Sequence, residues 1–213
     1  MPAEIEPVRV KICGLSEPDT LDAAVAAGAD WVGFVLFPRS PRYVSVERAA
    51  ELRRRVPDTV GVVALLVKPG DAEIDAARAA LPRAILQIYD DTSRCMAIRA
   101  RVGAPVWQAI GVDRARDLPV ESMLDGLVVE SRPPAGADRP GGNGQGFDWR
   151  ITAGWRAPAP WLLAGGLTPD NVAKAIRQSG ARAVDVSSGA ERASGQKDVE
   201  LIAAFVRAAR SAS

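Results

Sequence analysis

Short apolar runs rich in β-branched residues alternate with longer amphipathic stretches along the chain, and this rhythm restricts the fold more than any other feature. Strands are expected at Val8 to Cys13, Trp31 to Leu36, Val60 to Val67 and Leu86 to Tyr89. They continue at Val106 to Ile110, Gly126 to Val129, Pro160 to Ala164 and Ala183 to Val186. Helical spacing falls between them at Glu17 to Ala27, Val46 to Arg55, Asp71 to Ala80 and Thr92 to Val102. It returns at Pro169 to Ser179, capped near Thr168 or Asp170, and at Asp198 to Arg210. Shorter helical candidates lie at Arg116 to Met123 and Asp148 to Gly154. Near-continuous apolar strands imply burial on both faces, which means parallel strands covered by helices. Eight such β-then-α units predict an α/β fold closed into a (β/α)8 TIM barrel rather than an open sheet. At 213 residues the barrel is compact, and a single domain over residues 1–213 is expected because no linker interrupts the pattern.

Charge and residue types then narrow the function. Lys and Arg total 27 against 26 Asp and Glu, so nothing favours a nucleic-acid partner bound by phosphate neutralisation. The apolar runs, such as Val60 to Val67, are too short to span a bilayer. Met1 to Arg9 is polar and lacks the pattern of a secretory signal, so a cytoplasmic location is expected. The two cysteines, Cys13 and Cys95, make no disulfide framework. With no histidine, a Ser-His-Asp triad, a Cys-His pair and a histidine metal site are all excluded, and no metal is expected. Proton chemistry must come from Cys, Asp, Glu, Lys or Tyr.

A barrel of this type places its site at the C-terminal ends of the strands. There the sequence offers Cys13, the Pro38–Arg42 stretch, Tyr89 with Asp90 and Asp91, Glu130, Gly165-Gly166 and Ser187-Ser188-Gly189. Glycine lets backbone N–H groups approach an anion closely and serine adds hydroxyl donors. Gly165-Gly166 alone reads as a tight turn. Paired with Ser187, Ser188 and Gly189 after the next strand, it reads as a phosphate cradle, and a phosphorylated small molecule is the expected partner. Cys13 is either a small buried hydrophobe or a reactive thiol, with Lys11 on the same strand face able to lower its pKa. Glu130 is either a solvated strand-end charge or an acid–base group. Arg42 is an anion clamp or a surface arginine. Asp185, inside the last strand, needs a partner such as a lysine or a substrate hydroxyl. The Pro- and Gly-rich segment Ser131 to Gln145 is long enough to be a functional loop.

Several of these residues fall into a recognisable order. Val10-Lys11-Ile12-Cys13-Gly14-Leu15, Gly28-Ala29-Asp30, Val32-Gly33-Phe34-Val35 and Ser40-Pro41-Arg42-Tyr43-Val44 resemble the opening of phosphoribosylanthranilate isomerases. The resemblance resumes at Gly141-Gly142-Asn143-Gly144 with Phe147-Asp148-Trp149, and at Leu163-Ala164-Gly165-Gly166-Leu167 with Pro169, Asn171 and Val172. It closes on Val184-Asp185-Val186-Ser187-Ser188-Gly189. Between Asp71 and Asp125 it rests on the strand–helix rhythm alone. The resemblance implies an Amadori rearrangement of N-(5-phosphoribosyl)anthranilate in tryptophan biosynthesis, without metal or organic cofactor. It implies Cys13 as the base at C2 and the strand-six carboxylate as the acid. It also implies Arg42 at the anthranilate carboxylate and the glycine and serine loops at the phosphate; Lys11 and Asp185, read from their strand positions, are expected substrate-binding residues.

The chain departs from that pattern twice. The family carries aspartate where Val128-Val129-Glu130 places glutamate, and commonly histidine where Gln87-Ile88-Tyr89 places tyrosine. Aspartate and glutamate differ by only about 0.4 pH unit in reference pKa. Reach differs more, and a misplacement of about 1 Å can cost on the order of 100-fold in rate. Tyrosine is expected to reshape the pocket without touching either proton-transfer group. Two rival readings follow: a divergent enzyme for another phosphoribosyl or amino-sugar phosphate, and a non-catalytic binder of phosphate ligands. A monomer and a homodimer are both compatible with the sequence.

Overall fold

The computed structural model describes residues 7–133, 136, 141, 144 and 146–212. The polar N-terminus before residue 7 and much of the Ser131–Gln145 loop lie outside the described residues. Eight parallel strands close into a barrel: β1 (Arg9–Cys13), β2 (Trp31–Val35), β3 (Gly61–Val67), β4 (Ile85–Tyr89), β5 (Val106–Val112), β6 (Gly126–Ser131), β7 (Trp161–Leu163) and β8 (Ala183–Val186). β8 pairs with β1, setting Lys11 opposite Asp185 and so closing the sheet on itself.

Among the described residues, six helices cover the outside: α1 (Pro18–Ala26), α2 (Val46–Arg53), α3 (Asp71–Ala80), α4 (Thr92–Val102), α5 (Val172–Ser179) and α6 (Val199–Arg210). Their ends follow local chemistry. The side chains of Ser45, Asp91 and Asp198 accept backbone N–H groups in the first turns of α2, α4 and α6. Gly103 closes α4 in the left-handed conformation that a side chain resists, at φ 59°. Among the described residues no helix is long and apolar enough to cross a membrane.

Two expected helices are missing. Between β5 and β6 only a 3₁₀ turn forms, at Ala115–Asp117. Pro119 forces Leu118 into an extended conformation (φ −73°, ψ 131°), ending the helical run that the spacing suggested. Asp148 to Gly154 is likewise only a 3₁₀ turn, Trp149–Thr152. α5 begins three residues later than expected. Thr168 instead accepts the N–H groups of Asn171 and Val172, leaving Pro169 and Asp170 in a turn. A two-stranded hairpin, β9 (Glu191–Ala193) and β10 (Gln196–Lys197), follows β8 and was not anticipated.

Inside the barrel, successive strand residues alternate inward and outward. The lower end is sealed by Trp31 and Trp107, edge to face with ring centroids 5.3 Å apart. The strands beside them begin with Gly61 and Gly126, where a Cβ would overlap the two indoles. Val63, Ala109, Val128, Leu162 and Ala183 pack with these rings. The same inward parity then delivers Lys11, Cys13, Glu130 and Asp185 toward the upper end. An apolar floor under a polar mouth thus follows from the period of the strands.

Candidate active site

Cys13 ends β1 and is almost completely buried. Gly33 on the neighbouring strand leaves it room, since a Cβ there would lie 3.1 Å from Sγ and 3.3 Å from Cε of Lys11. The Lys11 ammonium, itself fully buried, donates to Asp185 at 3.0 Å. Burial works against its charge, yet Asp185 and Cys13 together hold its pKa above the ordinary 10.5. The Asp185 partner expected of a buried carboxylate is therefore this lysine. The effect on the thiol corrects the sequence expectation. Burial raises the Cys13 pKa above 9.0, Asp185 pushes the same way, and Lys11 and Lys197 offset only part of it.

Glu130 lies one residue before the end of β6, buried and opposite Gly111 of β5. Tyr89, at the end of β4, hydrogen-bonds it. Burial first, then the Glu130 charge and that hydrogen bond, keep the phenol's pKa well above 10. A Cβ on Gly141 would lie 2.5 Å from the Tyr89 hydroxyl and 2.6 and 2.8 Å from the two carboxyl oxygens. Loop backbone, phenol and carboxyl therefore share one small volume. The expectation that tyrosine would leave the proton-transfer groups untouched is corrected, because its ring is long enough to reach Glu130.

Arg42 is buried along the same cleft and is not a surface arginine. Its Nε and Nη2 donate to the two carboxyl oxygens of Glu191, at 2.6 and 2.9 Å. Lys197 donates to Glu191 at 2.7 Å and to the Ser187 carbonyl at 2.9 Å. The strong cations hold the Glu191 carboxyl at about 2 against its own desolvation, whereas burial lowers the Lys197 pKa despite Glu191. Neither Glu191 nor Lys197 was singled out by sequence reasoning. Their hairpin is too short for a periodic pattern, and the Ser194-Gly195 turn was its one available signal.

On the far wall, Gly165 and Gly166 both take positive φ, 82° and 66°. Asn171 braces their loop by donating to the Gly166 carbonyl at 2.9 Å and accepting from Thr168 N–H at 2.8 Å. Ser187 donates to the carbonyl of Cys13 at 3.3 Å, tying the β8 loop to the end of β1. Gly189 packs so tightly on Leu167 that a Cβ would overlap its carbonyl oxygen. The two glycine- and serine-bearing loops are thereby held side by side. Gly165, Gly166, Ser187 and Ser188 line a cleft with Cys13, Arg42, Tyr89, Glu130 and Asp185. Val35, Phe37, Leu65 and Val67 give it an apolar wall. Gly189 stands behind this lining, as a spacer between the loops. Among the described residues no cluster of three or more carboxylate or thiol side chains could hold a metal ion.

Comparison with known proteins places the chain in a family. The profile described as N-(5'phosphoribosyl)anthranilate (PRA) isomerase matches residues 10–208. The chain is 57% identical over 207 residues to the N-(5'-phosphoribosyl)anthranilate isomerase of Acidiphilium cryptum, covering 96% of this chain and 99% of that one. The phosphoribosyl anthranilate isomerase of Thermotoga maritima superposes with a TM-score of 0.82 at 31% identity, over 96% of this chain and 99% of its own. A phosphoribosyl anthranilate isomerase solved with reduced 1-(o-carboxyphenylamino)-1-deoxyribulose 5-phosphate superposes at 0.80 with 30% identity, over 96% and 99% of the two chains.

Proposed function

Since the chain belongs to the N-(5'-phosphoribosyl)anthranilate isomerase family, we propose that Cys13 and Glu130 carry out the two proton transfers of its Amadori rearrangement. The enzyme converts N-(5-phosphoribosyl)anthranilate into 1-(2-carboxyphenylamino)-1-deoxyribulose 5-phosphate, a step of tryptophan biosynthesis. One observation carries the residue assignment. A thiol flanked by a lysine–aspartate pair and a separate buried carboxyl face the same cleft, between a paired glycine–serine wall and an arginine.

Protonated Glu130 donates to the furanose ring oxygen. The C1–O bond breaks toward that oxygen, and the anilino nitrogen lone pair forms C1=N. The Cys13 thiolate then removes the C2 proton, and the electron pair of that C–H bond moves to neutralise the iminium. The enolamine that results tautomerises to the ketone. These steps are redox-neutral and ask only for proton transfers, so no cofactor is assigned. A thiol pKa raised by burial makes the thiolate scarce but a stronger base, and the Lys11 ammonium supports it when formed. Arg42 holds the anthranilate carboxylate, with the ring against Val35, Phe37, Leu65 and Val67. Gly165, Gly166, Ser187 and Ser188 hold the phosphate, and Gly189 keeps their loops in contact. The cytoplasm is the assigned location, as for an enzyme of amino-acid synthesis.

Cys13→Ala and Glu130→Gln should each lower kcat by at least about 100-fold with little change in KM. Arg42→Ala should instead act mainly on KM. Near-normal kcat in either of the first two variants removes that residue from the mechanism.

A further inference from the structure

We infer that Tyr89 is a positioning residue whose phenol O–H fixes the rotamer of the Glu130 carboxyl and stabilises the carboxylate that remains once its proton has gone to the ring oxygen. The inference rests on Glu130 being the acid.

The two residues lie on strands that are not neighbours, with β5 between them. β5 presents only Ala109 and Gly111 on its inner face here, so no side chain stands between phenol and carboxyl. Tyr89 sits level with Ala109, diagonally below Glu130, which suits the length of its ring. Gly141 caps the pair, and any larger residue there would collide with both groups. A glutamate is more mobile than a shorter carboxylate by one rotatable bond, and a bond from a rigid aromatic removes that freedom. The phenol remains protonated across the working pH range, because burial and the facing carboxyl both oppose its ionisation. It is therefore a donor throughout turnover. Among the described residues, the other titratable or charged groups at this cleft are Cys13 with Lys11 behind it, Asp185, and Arg42 with Glu191 and Lys197 behind it. None of them is altered by changing Tyr89.

Hydrogen bonding to the charged form favours it, so removing the phenol must raise the pH at which Glu130 titrates. Tyr89→Phe keeps the ring and deletes one oxygen. Its kcat should fall about 10- to 100-fold, the range for a hydrogen bond to a charged group, with KM changed less than about threefold. The limb of its kcat profile that reports Glu130 should move to higher pH. The Glu130 carboxyl can be followed without turnover by difference infrared spectroscopy, with Glu130→Gln assigning the band. That titration should move up in Tyr89→Phe and down when 3-fluorotyrosine, a stronger donor, is placed at position 89. A titration unmoved by both changes overturns the Tyr89 role. Retained kcat in Glu130→Gln overturns the acid assignment itself and the catalytic part of this inference with it, whatever the infrared titration does.

Discussion

Replacing Glu191 by glutamine removes the charge that holds Arg42 and Lys197 together below the cleft. The side chains of Glu191, Arg42 and Lys197 are only 3%, 4% and 1% exposed, so solvent screens their interaction little. The fall of the Glu191 pKa from its ordinary 4.5 to about 2 corresponds to about 3 kcal/mol, at about 1.4 kcal/mol per pH unit. Deleting one member of a buried ion pair typically costs about 3–5 kcal/mol, which agrees. Lys197 argues for the lower end, since its own pKa is depressed by burial in spite of Glu191. We therefore expect Glu191→Gln to lose about 3 kcal/mol, a Tm drop of about 6–12 °C for a domain of this size. A carboxyl whose folded pKa is depressed contributes stability above its unfolded pKa and loses it as pH falls through the folded one. The difference between wild type and variant should thus be full above about pH 4.5 and shrink steadily as the pH falls toward 2. Calorimetry at a series of pH values, with circular dichroism to confirm the fold, reads both quantities. A Tm loss under about 2 °C at neutral pH, or a loss that does not shrink with acid, would refute the reasoning.

Two further outcomes follow from packing. Gly189→Ala should separate the two phosphate-side loops and cost about 1–3 kcal/mol; an unchanged Tm together with an unchanged KM would show that the loops yield without consequence. Among the described residues, neither amide atom of Gln87, which is fully buried inside the barrel, has a hydrogen-bond partner. Gln87→Met, close in volume, should raise stability by about 1–3 kcal/mol in chemical unfolding, because it relieves an unpaired polar group. A loss instead would mean that the amide has a partner during folding or catalysis.

The barrel was legible because its information is periodic. Val60 to Val67 can only be a strand buried on both sides, and Asp71 to Ala80 and Thr92 to Val102 carry their own start and stop signals. The missing helix after β5 was legible in principle. Pro119 is the sign, since it holds the residue before it in extended backbone whatever the helical spacing around it. Cys13, Lys11 and Asp185 could be placed together because strand ends and strand parity are properties of the sequence. Glu191 and Lys197 could not. Glu191 reaches Arg42 across 149 residues of chain, and Lys197 joins them through Glu191, from a hairpin too short to show alternation. The sign of the Cys13 shift was equally hidden. A sequence shows that Lys11 lies nearby, but not that burial outweighs it. The Tyr89 contact with Glu130 was hidden too, since it spans an intervening strand whose register and side-chain parity only the fold fixes.

Turnover of phosphoribosylanthranilate with Glu130 near the end of β6 is what the proposed assignment requires. Freshly generated phosphoribosylanthranilate, followed by loss of its fluorescence with purified protein, tests it most directly, with Cys13→Ala as the control. Steady turnover that disappears in Cys13→Ala is the predicted result. A folded protein that leaves the fluorescence unchanged, or a Cys13→Ala variant as fast as wild type, would contradict that assignment.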